Sequence, residues 1–204
     1  MRLIEFNERD ITKEQVKALV NDDASVSAGS SAQMFRGTNY QTYSFVGEIR
    51  TDRKSRHSGE EYTMVFNVFM DALGLQFRKS NTLSVTLDRK QATEYGNTVY
   101  MIYPFNGSSY LYSGKFSDLL DLSSEIVEQF DIEYPESMND SPSFRERELT
   151  AYVEENARHL IHQFDLHVTD DPNEFAHKAI GEVLVLGHKY LAITTDTKVL
   201  DLQD

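Results

Sequence analysis

The chain of 204 residues contains no cysteine, which excludes disulfide scaffolds, thiolate metal sites and cysteine nucleophiles. Proline is scarce at four residues, and 40% of the chain is apolar, so the composition is that of a globular protein and not of a disordered one. Positive charge is also in short supply: 20 Lys and Arg stand against 33 Asp and Glu, for a formal net charge of -13. Phosphate contact needs positive charge, so a protein that holds nucleic acid over its whole surface is excluded, although one local basic patch is not. No apolar run approaches the length of a membrane span, and the opening Met-Arg-Leu-Ile-Glu-Phe-Asn-Glu lacks the apolar core of a signal peptide. The expectation is therefore a cytoplasmic protein with no membrane partner. Its length suits one domain with a substantial core.

What is present is organised around Asn81 to Gly96. Leu83, Val85 and Leu87 alternate with Thr82, Ser84 and Thr86, which predicts a strand with one apolar face and one hydroxyl face. Asp88 is placed to cap a short helix, Gln91 to return the bond of a capping box, and Gly96 to stop the helix in a left-handed conformation after Tyr95. Pattern alone makes this an ordinary strand-to-helix junction. The same pattern also delivers two hydroxyls and an aromatic ring to one place, a floor for a flat polar ligand.

Before this stretch, Leu3, Ile4 and Phe6 suggest an opening strand, and Thr12 to Gln15 a capping box that leads a helix through Val16, Leu19 and Val20. Asn21 to Gln33 reads as a flexible loop, so residues 1–33 are an extension attached to a main body of residues 34–204. In Phe35-Arg36-Gly37-Thr38 the phenylalanine is expected to face the core and the arginine the other way, with Gly37 allowing a bulge or the close approach of a ligand. Arg50 to His57 is a basic run, either a solvated loop or a phosphate contact. Ser58 to Glu61 is a further capping box. The helix after it carries the apolar stripe Tyr62, Val65, Phe66, Phe69, Met70 and Leu73, which is core packing.

Downstream, Thr98 to Phe105 is a β-branched and aromatic strand stopped by Pro104 and the Asn106-Gly107 turn, and Tyr110 to Tyr112 a returning strand. Helical spacing runs from Phe116 to Phe130, and again from Ser141-Pro142 through Leu149, Tyr152, Val153, Leu160, Ile161 and Phe164. His159, His162 and His167 fall near the end of that helix, at a spacing that does not match paired zinc ligands, so no metal site is expected. Asp171-Pro-Asn-Glu174 reads as a further capping box that opens a last short helix to about Ile180, and two strands near Val183 and Tyr190 close the chain.

Three of these elements together resemble the ADP-ribosyltransferase family. Phe35-Arg36-Gly37 looks like its aromatic-Arg-Gly element. Ser84-Val85-Thr86, with Asp88, Ala92 and Tyr95, looks like its Ser-Thr-Ser element, with valine in place of the middle threonine. Glu182-Val183-Leu184-Val185, with Gly187 and Tyr190, looks like its Glu-x-Glu element, the second glutamate falling on Glu182. The resemblance implies an α+β fold in which a split pair of small β-sheets forms a cleft flanked by helices, and NAD as co-substrate. It implies that Arg36, Gly37, Thr38 and Tyr95 bind the dinucleotide, with the tyrosine stacked on nicotinamide, and that Ser84 and Thr86 orient Glu182. Glu182 then offsets the positive charge that develops on the ribose as nicotinamide leaves. Family members that modify arginine carry Glu or Gln two residues earlier, where this chain has Ile180. The expected acceptor is accordingly macromolecular but not arginine, a protein ahead of a nucleic acid, with NAD hydrolysis left open. The alternative is a catalytically inactive relative that binds a partner. The segment from Arg53 to Gly107 also resembles small proteins of tailed bacteriophages, for which host takeover or anti-defence activity in the host cytoplasm is the expected role.

Overall fold

The structure, a computed structural model, describes residues 9, 10, 12, 14–16, 18, 32–39, 42–51, 59–135 and 141–195. The expected strand at Leu3 to Phe6, the loop up to residue 31, Ser58 as a cap and the basic run beyond Thr51 lie outside the described residues.

Alternation of β-branched and aromatic residues places six strands where the sequence predicts them. These are Met34–Thr38 (β2), Thr82–Thr86 (β4), Thr98–Pro104 (β5), Ser109–Ser113 (β6), Glu182–Leu186 (β8) and Lys189–Thr194 (β9). Three more join them without such a signal: Arg9–Asp10 (β1), Ser44–Glu48 (β3) and Leu166–Thr169 (β7). In β3 the alternation is broken by Gly47, whose cross-strand partner is Tyr190. A Cβ on Gly47 would overlap the Tyr190 ring, so the glycine is there to seat the aromatic.

Every strand pairing is antiparallel, and the strands form one sheet in the order β1-β3-β9-β5-β2-β4-β8-β6-β7. This corrects the expectation of two separate sheets. The sheet is nevertheless pinched in the middle. Five residue pairs join β2 to β5 and five join β4 to β8, whereas β2 and β4 meet only at Phe35 and Thr86. A five-strand half and a four-strand half are thus hinged on a single pair.

The helices are Glu60–Ala72 (α1), Arg89–Ala92 (α2), Asp121–Glu133 (α3), Pro142–Gln163 (α4) and Pro172–Phe175 (α5). Apolar stripes of α1, α3 and α4 close over one face of the four-strand half, where Phe66, Phe69, Ile126, Phe130, Leu149 and Leu160 pack against Leu111 and Leu184. Full burial of each such side chain stabilises by about 1.5–3 kcal/mol. A second core lies on the opposite sheet face and draws Met34, Phe45, Tyr100, Tyr110, Tyr112 and Val183 together with Phe175 of α5. Among the described residues, no helix is long and apolar enough to cross a membrane.

The described parts of the N-terminal extension lie on the main body. β1 pairs with β3, Thr12 and Gln15 exchange the two bonds of a capping box, and Val16 is buried against Leu191 and Ile193. At the other end of the chain, α4 stops at Asp165, which takes a left-handed φ of 46°. His167 therefore sits on β7 and not on the helix, stacked on Tyr112 and 2.7 Å from the Asp165 carboxylate.

The two shortest helices are started by one device used twice. Thr86 donates to Gln91 at 2.5 Å and accepts from the Asp88 amide at 3.1 Å, while Asp88 accepts from the Lys90 amide at 2.7 Å. Thr169 donates to Glu174 at 2.6 Å and accepts from the Asp171 amide at 3.0 Å, while Asp171 accepts from the Asn173 amide at 2.9 Å. Asp88 thus caps as expected, but Gln91 turns to the threonine hydroxyl and does not complete a capping box.

Gly96 also departs from expectation, because the glycines at positive φ among the described residues are Gly74 and Gly107. Its reason is contact: a Cβ on Gly96 would overlap the Thr38 backbone, and one on Gly37 would overlap the Ala92 carbonyl. The two glycines let α2 and the turn after it lie backbone to backbone on β2, beside the pinch. Gly37→Ala and Gly96→Ala should each destabilise the fold by about 1–3 kcal/mol through overpacking. Urea unfolding of both variants tests this, and wild-type midpoints would refute the packing argument.

Candidate functional site

Glu182 opens β8, and the chain around it explains how a carboxylate comes to rest there. The segment from Phe116 to Leu120 crosses the start of β8, where the Glu182 amide donates to the Ser117 carbonyl at 2.8 Å. Gly181 is required at the crossing, since a Cβ would overlap that same carbonyl. Strand alternation then directs the Glu182 side chain to the face shared with Leu184, beneath the helices.

That side chain is 14% exposed, and its carboxylate is met from three other parts of the chain. Lys79, in the turn after α1, donates to Oε1 at 3.2 Å and to Oε2 at 2.9 Å. The Ser84 hydroxyl of β4 donates to Oε1 at 2.5 Å, and the Leu119 amide donates to Oε2 at 3.0 Å. Burial by itself would push the Glu182 carboxyl up. The Lys79 ammonium and the bonds from Ser84, Lys79 and Leu119 outweigh it and hold the carboxyl below its ordinary value. Lys79 is itself 10% exposed, with its ammonium 5.5 Å from the centre of the Phe66 ring.

Arg36 reaches this group across the pinch. Where β2 and β4 part, the Arg36 guanidinium takes the place of a ladder bond and donates to the Ser84 carbonyl at 2.5 Å. Arg36, Ser84 and Glu182 therefore form one continuous run of contacts. Thr86 stands opposite Glu182 in the strand register, but its hydroxyl is engaged by Gln91 and Asp88 and shapes the turn. Gly37 and Thr38 face the backbone of Ala92 and Gly96. Tyr95 is 63% exposed, and its phenol is pushed up by partial burial, then by the charges of Asp118, Glu182, Glu94 and Asp121. Ile180 is 55% exposed, immediately before the strand.

Two residues of the site carried no sequence signal. Lys79 lies in an ordinary turn and acquires its role only through the tertiary fold. Asp118 lies in the segment that crosses β8, where it accepts from the Leu120 amide at 2.8 Å. Its carboxyl is pushed up by burial and by Glu182, against the pull of the Leu120 amide and Lys79.

A separate groove of about 420 Å³ lies where β3 ends and β9 begins, lined by Glu48, Ile49, Arg50, Thr51, His188 and Lys189. It shares no residue with the Glu182 group. Among the described residues, no set of three His, Asp or Glu side chains is arranged to hold a metal ion.

The lowered Glu182 carboxyl has a consequence for stability. A group whose folded value lies below its unfolded one contributes stability above the ordinary carboxylate range, and loses it as pH falls through the folded value. Glu182→Gln should therefore reduce stability at neutral pH and flatten the acid limb. Urea unfolding from about pH 7 to about pH 3 measures it, and an acid limb as steep as wild type would refute the assignment. In comparisons with known proteins, no family model, no curated protein and no solved structure matches the chain.

Proposed function

We propose that the chain is an NAD-dependent ADP-ribosyltransferase that acts on a macromolecular acceptor other than arginine. The observation that supports this most is that three motifs far apart in the sequence meet: Arg36 bonds the Ser84 carbonyl, and the Ser84 hydroxyl bonds Glu182. Ser84 fixes the orientation of Glu182, which supplies negative charge at the sugar. Arg36 lies beside them with a planar fork suited to phosphate or ribose oxygens. Tyr95 offers an exposed ring within electrostatic reach of the carboxylate, as a stacking surface for a flat heterocycle. Thr86, Gly37 and Thr38 serve by holding the α2 turn that carries Tyr95, not by touching Glu182. The pinched sheet is in keeping with the cleft between half-sheets that the resemblance implies. The apolar Ile180 favours a protein acceptor without a guanidinium, or water.

A second reading is supported by a specific observation. Lys79, Ser84 and Leu119 together engage both oxygens of the Glu182 carboxylate as a structural node would, so the cluster also suits a catalytically silent domain that binds a basic partner through its acidic surface.

Release of nicotinamide from NAD by the purified protein, followed by chromatography, separates the two. Activity is expected in the wild type, and Glu182→Gln should lower it by about 100-fold or more while circular dichroism keeps the native form. A wild-type protein that neither binds nor turns over NAD at high concentration supports the silent reading.

A further inference from the structure

The groove where β3 ends and β9 begins takes up a motif that the proposed NAD site leaves unused, the basic run that starts at Arg50. β3 and β9 are neighbours with Glu48 opposite Lys189, and the ladder continues one step further, the Ile49 amide donating to the His188 carbonyl at 2.8 Å. On the other side of β9 the Phe105 amide donates to the Lys189 carbonyl at 3.1 Å. Both walls of the groove are therefore held by backbone bonds. Alternation carries on past the end of β3, so that Ile49 is buried while Glu48 and Arg50 are exposed. Arg50 and Thr51 thus reach the groove from one wall and His188 and Lys189 from the other, beside the apolar Ile49. The Glu48 carboxylate is 3.8 Å from the Lys189 ammonium, and both side chains are half-exposed. An ion pair of that length in water is weak and yields to a better anion.

We propose that this groove binds a phosphate monoester of about sugar-phosphate or mononucleotide size, with Arg50, His188, Lys189 and the Thr51 hydroxyl as donors to the phosphate. Donors that arrive from two walls call for oxygens on more than one face of the ligand. A tetrahedral phosphate has them, and the fork of an arginine suits two of them at once, whereas a carboxylate presents only two oxygens in one plane. The volume of about 420 Å³ falls within the range of small-molecule sites, about 300–1,000 Å³, so the groove has room for the organic part of an ester, with Ile49 as its apolar contact. Charge in the sequence points the same way. Arg50, Arg53, Lys54 and Arg56 stand against Asp52 alone in a chain of net charge -13, and chain length by itself keeps Arg53 and Lys54 within about 11 Å of Thr51. Positive charge gathered at one place draws an anion that the acidic remainder of the surface repels. The groove and the Glu182 group have no residue in common, so the proposal does not rest on the NAD reading.

Amide chemical shifts of the isotope-labelled full chain, followed during titration, locate the ligand as well as detect it. Ribose 5-phosphate should move the amides of Ile49, Arg50, Thr51, His188 and Lys189 along one saturating curve, and ribose without phosphate should leave them in place. Affinity should fall as sodium chloride is raised, because the contact is ionic. Arg50→Gln combined with Lys189→Gln removes two exposed charges and should weaken binding by about tenfold or more, with the remaining spectrum as in the wild type. If the double variant fails to fold, the titration of the wild type still decides. Shifts that saturate equally with ribose, that fall elsewhere in the chain, or that persist at wild-type affinity in the folded double variant overturn the proposal. Inorganic phosphate bound as tightly as ribose 5-phosphate also overturns it, since the groove then holds an ion and does not recognise an ester. A single-stranded oligonucleotide that saturates the same amides at a far lower concentration overturns it in favour of a nucleic-acid contact. Loss of nicotinamide release with these shifts intact removes the NAD reading and leaves the phosphate site standing.

Discussion

A carboxylate withdrawn from water persists only where its charge and its lone pairs are met, and those of Glu182 are met from distant parts of the chain. Lys79 comes from the turn after the first long helix, Ser84 from a central strand, and Leu119 from the segment that crosses the strand Glu182 itself begins. Such a node adds little net stability compared with an apolar core of the same volume. What it supplies is position. The helical layer, the four-strand half-sheet and the crossing segment are held in one relative placement, because any other leaves a buried charge unmet.

The second organising feature is the seam between the half-sheets. A complete ladder between β2 and β4 would join the two halves along the full length of both strands. Pairing stops instead after Phe35 and Thr86, and the Ser84 carbonyl beyond it is taken by Arg36. Beside the seam a short helix and the turn after it pack against β2 at close range, which Gly37 and Gly96 permit. Backbone contact, a missing ladder and an arginine that substitutes for it are thus parts of one arrangement, which places the arginine of the first motif beside the serine of the second.

Much of this was legible in the sequence where the relevant interactions are local. The stripe of α1 from Val65 onward, the alternation in β4, β5 and β8, and the caps at Asp88 and Asp171 each depend on neighbours two to five residues away and stand as read, while Tyr62 at the head of the stripe is exposed. Local reading failed where a distant contact set the outcome. Gly47 hid a strand because it makes room for Tyr190, and Gly96 looked like a left-handed stop when it makes room for Thr38. The strand that carries His167 was not foreseen at the end of the long helix, because Asp165, an ordinary residue, takes the left-handed conformation there.

By itself the sequence determined the class of protein, an acidic α+β chain without thiol chemistry, together with most of its elements and the three motifs that carry its candidate chemistry. Periodicity does this, since helical and strand repeats are properties of adjacent turns and pleats. Only the tertiary structure decided that the strands share one pinched sheet, that Thr86 serves the turn while Ser84 serves the carboxylate, and that Lys79 holds Glu182. Those outcomes depend on which strands lie side by side and on which charges are buried together, and burial is a property of the whole fold that no local spacing encodes.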